Sequence, residues 1–163
     1  AGRHAARAAL ADLGAPLTAI PMSDDRAPLW PAGFTGSITH CRTACLAAAS
    51  RTARGIGLDL EEATPLAADL WDTVLLPAEA AWAKAQPDPG LAAKLVFSAK
   101  EAAYKAQYAE SQALFGFDRL ALTVTDTAFT ARFTSGTPPF AEGDTLHGHW
   151  TMTEGLILTA VAL

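Results

Sequence analysis

The sequence predicts an α+β fold, in which helices and antiparallel strands occupy separate stretches of the chain. Three observations indicate this class. An alanine-rich helical segment opens the chain, short alternating segments follow it, and a second run of alternating segments comes after a long helical stretch. The length of 163 residues suits one compact domain or two small fused halves.

The first third of the chain predicts one helix, one loop and three strands. Residues 2–13 are rich in alanine and predict a helix that ends at Gly14 and Pro16. Residues 21–36 are dense in proline, glycine and aspartate and predict a loop. Short strands are expected near residues 36–40, 44–50 and 55–61, with RTAR as the turn between the last two.

The remaining two thirds predict helices and then strands. The segment PLAADLWDTVLLPAEAAWAKA predicts two short helices, the second beginning at Pro77 with Glu79 in its first turn. Residues 89 to about 112 form the longest helical stretch. From residue 117 onward, apolar and polar residues alternate between turn residues, which predicts three or four antiparallel strands.

Composition and charge exclude several classes of protein. A net charge of −5 argues against a nucleic-acid partner, although a local basic cluster could bind a small polyanion. The longest apolar runs are much shorter than the roughly 20 residues of a membrane helix, so no membrane association is expected. The chain opens with AGRHAARAAL rather than an apolar leader, and its two cysteines suit a reduced protein. We therefore expect a cytoplasmic location.

The segment GLDLEE places two carboxylates on one face of a predicted strand. Asp59 and Glu61 point to the same side because side chains alternate along a strand, while Leu58 and Leu60 point to the other. Two adjacent carboxylates repel unless a cation lies between them, and such hard oxygen ligands suit Mg²⁺. A solvated strand face entering a turn explains the same pattern, and both interpretations stay open.

The segment FSAKEAAYKA places an acid and two cations on one helix. Glu101 and Lys105 share a face by their i, i+4 spacing, and Lys100 lies beside that face. At a surface, such a pair would stabilise the helix by only about 0.2–0.5 kcal/mol. The same face carries Phe97 and Tyr108, which indicates a contact with the core or a cleft. A buried glutamate needs a partner there, and a shared metal ion is one solution.

Three further residues are candidates for binding an anion. His40 follows Thr39 at a predicted strand end, where a single histidine is more often structural than functional. Arg3 lies in the first helix and Arg26 in the proline-rich loop. Exposed arginines are usually solvated, but the guanidinium fork also binds phosphate with two parallel hydrogen bonds.

Three motifs, WPAGFTGSITH, GIGLDLEE and FSAKEAAYKA, occur in that order and resemble those of the Sfp-type 4′-phosphopantetheinyl transferases. The opening GRHAARAALADLG and the closing EGLILTAVAL are similar to the enterobactin-type and actinobacterial branch. The resemblance implies two similar α+β halves related by a pseudo-twofold axis, with coenzyme A in the cleft between them. Within a single domain of residues 1–163, residues 1–54 would be the remainder of the N-terminal half and residues 55–163 the C-terminal half. Several tens of residues that usually precede the GR helix are missing, and they could supply another phosphate-binding arginine.

The activity implied by the resemblance is transfer of the 4′-phosphopantetheine arm of coenzyme A to a serine of an apo acyl or peptidyl carrier protein. The products would be the holo carrier protein and 3′,5′-ADP. The metal would be Mg²⁺, with Mn²⁺ as an alternative, and the enzyme would act as a monomer. Carriers of fatty-acid, polyketide, nonribosomal-peptide and siderophore synthesis are all compatible with this activity.

The resemblance also implies roles for individual residues. Glu101 would be the catalytic base, acting directly or through a water, and Lys105 would neutralise or protonate the leaving phosphate. The ligands of the metal would be Asp59, the carbonyl of Leu60, Glu61 and Glu101. The residues that bind coenzyme A would be Arg3, Asp25, Arg26, Thr39, His40, Lys100 and Lys105.

Two other functions use the same residues and stay open at this point. A magnesium-dependent phosphoesterase would pass the group to water and release phosphopantetheine without any carrier protein. A non-enzymatic module would bind coenzyme A without transfer, and its melting temperature would rise with the ligand.

Overall fold

The computed structural model of the chain describes residues 1–16 and 18–163, and this part of the chain contains four α-helices and seven strands. The helices are α1 (Gly2–Asp12), α2 (Trp71–Val74), α3 (Pro77–Lys84) and α4 (Pro89–Ser111). The strands are β1 (Thr35–His40), β2 (Cys45–Ser50), β3 (Ile56–Glu62), β4 (Leu120–Val124), β5 (Ala128–Phe133), β6 (Thr145–Thr153) and β7 (Leu156–Ala162). The predicted α+β class is confirmed.

A small antiparallel sheet of β1 and β2 forms the first layer of the molecule. Helix α1 packs against both strands because its buried residues, Ala6 and Leu10, meet Ile20 and the inner face of the hairpin at Ile38. This packing buries one side of the hairpin. The end of β1 stays open to solvent, and His40 is exposed there.

The larger sheet is antiparallel with the strand order β3-β7-β6-β5-β4, so that β3 lies at one edge. Helix α4 packs across its inner face, where Ser98 and Thr159 share a buried hydroxyl pair at 2.9 Å. Glycine at position 57 permits this close approach, because a Cβ there would lie 1.7 Å from the carbonyl oxygen of Ala102. Helix α4 therefore holds its side chains directly against β3.

The ends of α4 agree with its sequence. Asp88 is the N-cap, its carboxylate accepts a hydrogen bond from the Leu91 N–H at 3.0 Å, and Pro89 occupies the first turn. At the other end Gln112 adopts a left-handed conformation with φ 52°, which ends the helix.

No helix within residues 1–16 and 18–163 combines the length and the apolar character that crossing a bilayer requires.

The two sheets meet where β1 runs beside the free edge of β3. The contact is made by hydroxyl side chains rather than by a backbone ladder. Ser37 Oγ accepts a hydrogen bond from the Leu58 N–H at 2.9 Å, and Thr39 Oγ1 accepts one from the Leu60 N–H at 3.0 Å. Both hydroxyl residues are buried. This junction protects the edge of β3, and it brings β1 next to the strand that carries Asp59 and Glu61.

Candidate active site

Asp59 and Lys105 form the centre of the site. Asp59 lies on β3 and is buried, and Lys105 reaches it from the facing side of α4. The Lys105 ammonium lies 2.7 Å from Asp59 Oδ1 and donates a second hydrogen bond to the Leu58 carbonyl at 3.0 Å. Strand β3 thus presents a carboxylate and a carbonyl oxygen to the Lys105 ammonium.

Asp59 has a second oxygen that no side chain uses. Among the described residues, its Oδ2 is buried and has no hydrogen-bond partner. A buried carboxylate oxygen without a partner is costly, and native proteins leave one mainly where an ion, a ligand or a water belongs. Oδ2 is therefore the atom of Asp59 that is available to a further ligand.

Glu61 lies two residues along β3, and its carboxylate meets a lysine as well. Lys94 of α4 lies 3.1 Å from Glu61 Oε2, and both side chains are partly buried. The Lys94 ammonium also lies 5.6 Å from the centre of the Phe97 ring, which favours a cation at that position. Asp59 and Glu61 are therefore each matched with a lysine of α4, whereas the third acid of β3, Glu62, pairs with Arg42.

Glu101 lies on α4 between these two lysines. Burial raises the pKa of its carboxyl, while Lys105 lowers it and the negative charges of Asp59 and Glu61 raise it further. The two acids affect Glu101 because all three carboxyl groups share one neighbourhood. Spacing in the sequence predicted the pair on the strand, and the family resemblance implied that Glu101 would join it.

The three carboxyl groups fit a divalent cation by their chemistry, although their present arrangement is held by lysines. Within the described part of the chain, no three acidic, histidine or cysteine side chains stand in the arrangement of a ready metal group. The donors are nevertheless hard oxygens of the type that Mg²⁺ prefers, and Asp59 Oδ2 lacks a partner. Antiparallel geometry also turns the Leu60 carbonyl to the side of its N–H, away from β7.

A basic pocket lies at the exposed end of β1. It has a volume of about 420 Å³, and Arg3, Arg26 and His40 are exposed around it. These residues come from α1, the proline-rich loop and the end of β1. Arg26 adopts a left-handed backbone conformation with φ 70°, which is uncommon for a residue other than glycine. The structure thus brings together three of the residues predicted to bind an anion.

A larger cleft of about 800 Å³ continues from this pocket towards α4. Asp25 and Arg26 line it on one side, and Lys105 and Tyr108 line it on the other. The hydroxyl of Ser23 donates a hydrogen bond to Asp25, and that bond lowers the pKa of the carboxyl. A volume of this size is sufficient for a nucleotide-sized ligand. The cleft connects the basic pocket with the acidic centre.

A smaller cavity lies on the other side of Tyr104. It has a volume of about 110 Å³ and is lined by Glu101, Tyr104, Phe115 and Phe117 among others. Tyr104 borders both this cavity and the large cleft. Burial raises the pKa of the Tyr104 phenol, so that it stays protonated near neutral pH.

Lys100 does not line the large cleft, although it forms part of the wall of the small cavity, and its contacts contradict the expectation that it binds a phosphate of coenzyme A. Its side chain is 1% exposed, and its ammonium lies 2.7 Å from Glu79 Oε2. It also donates hydrogen bonds to the carbonyls of Val74 at 2.8 Å and Phe117 at 2.9 Å. An ammonium has three N–H donors, and these three acceptors occupy all of them. Lys100 is a structural cation.

Thr39 requires a similar correction. Its hydroxyl was expected to contact coenzyme A together with His40, but its side chain is only 4% exposed and points to β3. The hydroxyl accepts the Leu60 N–H and lies 3.5 Å from Asp59 Oδ1. His40 follows it on the exposed side because successive residues of a strand face opposite directions.

Lys94 is the site residue that the sequence reasoning missed. Its spacing offered the clue, because Lys94 and Glu101 are seven residues apart and therefore lie on one helix face two turns apart. Lys94 lies three residues before Phe97, the first residue of the FSAKEAAYKA segment, and so falls outside that motif. Glu79 was also noticed only as a first-turn acid, and its partner Lys100 was not foreseen.

The fold and the arrangement of acidic and basic side chains fit the class of group-transfer enzymes, and the family comparisons agree with this class. Two family models match the chain: the 4′-phosphopantetheinyl transferase N-terminal domain at residues 1–50, and the 4′-phosphopantetheinyl transferase superfamily at residues 55–161. The chain therefore belongs to the 4′-phosphopantetheinyl transferase superfamily.

Curated relatives match over almost the whole chain. The 4′-phosphopantetheinyl transferase Npt of Nocardia iowensis is 37% identical over 98% of this chain and 78% of its own length. The 4′-phosphopantetheinyl transferase PptT of Mycobacterium tuberculosis is 37% identical over 99% of this chain and 76% of its own. Enterobactin synthase component D of Salmonella typhimurium is 36% identical over 99% and 69% respectively.

Proposed function

We propose that this chain transfers the 4′-phosphopantetheine arm of coenzyme A to a serine hydroxyl of an apo acyl or peptidyl carrier protein. The reaction releases 3′,5′-ADP and leaves the arm joined to the serine through a phosphodiester. The observation that carries the proposal is the meeting of Asp59, Glu101 and Lys105 at the end of a cleft that begins at Arg3, Arg26 and His40.

The two ends of the cleft suit the two ends of the coenzyme A nucleotide. The basic pocket offers two guanidinium groups and an imidazole for the 3′-phosphate. The segment with Asp25 lies beside the cleft where the adenosine would pass. Lys105 borders the inner end and can reach the pyrophosphate. The small cavity next to Glu101 and Tyr104 is suited to the less polar pantetheine arm.

Asp59, Glu61 and Glu101, with the carbonyl of Leu60, would hold Mg²⁺, and Mn²⁺ offers the same hard-ion chemistry. When bound, this ion supplies a positive charge that stabilises the pyrophosphate oxygens as their negative charge grows. Lys105 supplies a second positive charge from the protein at the same place. Lys94 places a further positive charge beside Glu61 and offsets part of the negative charge of the acidic cluster.

Residues of α4 then remove the proton of the carrier serine hydroxyl and orient its oxygen for attack. Glu101 accepts the proton of the carrier serine, directly or through a water, as the serine oxygen forms its bond to the phosphorus that carries the pantetheine arm. The bond from that phosphorus to the oxygen of the ADP leaving group breaks, and Lys105 neutralises or protonates that oxygen. A glutamate with a raised pKa is a stronger base, which suits this step.

The carrier is expected to bind to a local basic or apolar patch rather than through total charge, because this chain is itself acidic with a net charge of −5. A monomer is sufficient for the proposed reaction, since all proposed groups come from one chain.

The experiment is intact-mass spectrometry of an apo carrier protein incubated with this protein, coenzyme A and Mg²⁺. We expect the carrier to gain one phosphopantetheine arm and EDTA to prevent the gain. Free phosphopantetheine without any carrier modification would instead establish a phosphoesterase. Coenzyme A binding without either product would contradict transfer and favour a binding module.

A matched pair of variants tests whether transfer requires the Glu101 carboxylate. Glu101→Gln keeps the shape of the side chain and removes its negative charge, so transfer should fall by about 10²–10⁴-fold. Glu142→Gln makes the same change at an exposed loop position and should leave the rate unchanged. Equal rates for both variants, measured by the same mass assay, would exclude Glu101 as the base.

A further inference from the structure

We propose that Thr39 is a positioning residue that fixes the orientation of the Asp59 carboxylate from the neighbouring sheet. This inference rests on the proposed function, since it takes Asp59 as a ligand of the divalent cation. Thr39 lies on β1, within the part of the chain matched by the N-terminal family model, and Asp59 lies on β3. The geometry of the proposed metal site would therefore depend on both parts of the molecule.

The first step concerns the two hydrogen-bonding functions of the Thr39 hydroxyl. Its oxygen accepts the Leu60 N–H at 3.0 Å, so one lone pair is used for the strand. Its proton has Asp59 Oδ1 within reach at 3.5 Å. The side chain is 4% exposed, which leaves little access for water as a competing acceptor. A buried hydroxyl needs an acceptor for its proton, and Asp59 provides it.

The second step concerns the two oxygens of Asp59. Oδ1 receives the Lys105 ammonium at 2.7 Å as well as the Thr39 hydroxyl. Within the described residues, Oδ2 is buried and has no hydrogen-bond partner. The groups that hold Oδ1 determine where Oδ2 points. Thr39 thus sets the direction of the oxygen that is available to a cation.

The third step explains why Thr39 is needed in addition to Lys105. In the proposed reaction Lys105 moves towards the phosphate, and its side chain is long and 28% exposed. Thr39 is short, buried and fixed by its own bond to the β3 backbone. When Lys105 contacts a phosphate, Thr39 is the group that still holds Oδ1. Such outer partners orient metal ligands and commonly change metal affinity by about 10–100-fold.

The chain contains a matched control two residues away. Ser37 also lies on β1, is 4% exposed, and accepts the Leu58 N–H at 2.9 Å. Its hydroxyl accepts a backbone N–H of β3 as the Thr39 hydroxyl does, but it makes no hydrogen bond to Asp59 in the structure. Removing either hydroxyl therefore removes one bond between β1 and β3, and the two changes should lower the melting temperature by similar amounts. Only the Thr39 change should affect the metal.

The test is direct titration of the full chain with Mn²⁺, following free Mn²⁺ by its electron paramagnetic resonance signal, without coenzyme A or carrier. Thr39→Val preserves the shape of the side chain and should weaken Mn²⁺ binding by about tenfold. Ser37→Ala should stay within about twofold of the unmodified chain, and Thr39→Ser should restore binding because it keeps the hydroxyl. If Thr39→Val does not fold, Thr39→Ala serves as the variant without a hydroxyl.

The outcomes separate this inference from the proposed function. The role of Thr39 would be overturned if Mn²⁺ bound equally well to the unmodified chain, to Ser37→Ala and to the Thr39 variant without a hydroxyl. The proposed metal site would then remain intact. Equal weakening in Ser37→Ala and Thr39→Val would also overturn it, because the cause would be the packing of the two sheets. Absence of Mn²⁺ binding in the unmodified chain would overturn the metal site itself, and the inference with it.

Discussion

Lys100 and Lys105 stand on the same helix and face different surroundings. Five residues rotate a helix by about 140° from a whole number of turns, so the two ammonium groups point to different sides. Lys105 and Glu101 differ by only about 40° and both face β3. Lys100 enters the region between α2, α3 and β4, where Glu79 accepts hydrogen bonds from the N–H groups of Leu76 and Leu122. The ammonium of Lys100 therefore stabilises the packing of the fold through Glu79, whereas the ammonium of Lys105 belongs to the site through Asp59.

The buried pair of Lys100 and Glu79 leads to a prediction about stability. Lys100→Met should lower the free energy of unfolding by about 3–5 kcal/mol, because it leaves the Glu79 carboxylate buried without its cation. The double variant Lys100→Met with Glu79→Gln should lose less than the sum of the two single changes. Urea unfolding of the four proteins provides the measurement. A Lys100→Met protein with unchanged stability and a higher KM for coenzyme A would instead restore the phosphate-binding role.

The sequence predicted the position of Lys105 in the site but not the buried, structural position of Lys100. Alternation paired Asp59 with Glu61, and i, i+4 spacing paired Glu101 with Lys105, because both rules describe local geometry. The family resemblance then joined the two pairs into one site. The environment of Lys100 depends on which segment covers that side of α4. Contacts with residues 74, 79 and 117 are distant in sequence, and local periodicity does not contain them.

At the scale of elements, the distance between α4 and β3 controls the site. Asp59 and Glu61 of β3 are matched with lysines of α4, so a displacement of the helix would separate these charged groups. Gly57 allows the short distance, because the carbonyl of Ala102 and the N–H of Ala106 lie where a side chain would be. The absence of a side chain at position 57 is thus part of the active-site geometry.

Gly57→Ala should therefore reduce both stability and transfer. Its Cβ would lie 1.7 Å from Ala102 O and 2.7 Å from Ala106 N, so the helix must move away from the strand. Overpacking of this kind costs about 1–3 kcal/mol or more. The melting temperature and the transfer rate at a temperature well below melting are the two measurements. Retention of both at the unmodified level would show that α4 does not need this close contact.

Gly136→Ala is the control for the loss of a glycine. A Cβ at position 136 would have its nearest neighbour at 3.9 Å, so the change introduces ordinary contact only. We expect the stability of this variant to stay within about 0.5 kcal/mol of the unmodified chain, as for most surface substitutions. A loss as large as that of Gly57→Ala would assign the effect to backbone freedom rather than to helix displacement.

The positions of the elements were largely predictable, while their arrangement was not. The helix at residues 89 to about 112 and the strands near 36–40, 44–50 and 55–61 lie where alternation, alanine content and turn residues placed them. In the order β3-β7-β6-β5-β4, the last four strands pair with their neighbours in sequence, but β3 pairs with β7, which lies about 100 residues further along the chain. The hydroxyl junction between β1 and β3 was also unforeseen, because a serine and a threonine in a strand do not indicate what their oxygens accept.

For the whole molecule, the cleft is the feature that joins the two parts of the chain. The basic pocket comes from residues before position 41, whereas Lys105 and Tyr108 come from α4. Division of the chain at residues 54 and 55, and a pseudo-twofold relation between the parts, stay predictions. The present arrangement supports a division of labour, with one part binding the nucleotide and the other carrying the acidic centre.

Binding of coenzyme A across the cleft should raise the melting temperature of the whole chain. At a ligand concentration about 100 times the dissociation constant, binding stabilises the folded state by about 2.7 kcal/mol, which corresponds to about 5–10 °C for a chain of this size. Coenzyme A that lacks the 3′-phosphate should give a smaller shift, since it forgoes the charge-assisted bonds of the basic pocket. Differential scanning fluorimetry at matched concentrations measures both shifts.

Arg26→Ala decides whether that difference arises at the proposed pocket. Arg26 borders both the basic pocket and the larger cleft, so its removal should reduce the shift from coenzyme A and bring the shifts of the two ligands closer together. Arg132→Ala removes an equal charge from an exposed position on β5 and should preserve the full difference. The reduction must come from a direct contact, because a general loss of positive charge would act equally in both variants. An unchanged difference in Arg26→Ala would place the 3′-phosphate elsewhere on the molecule.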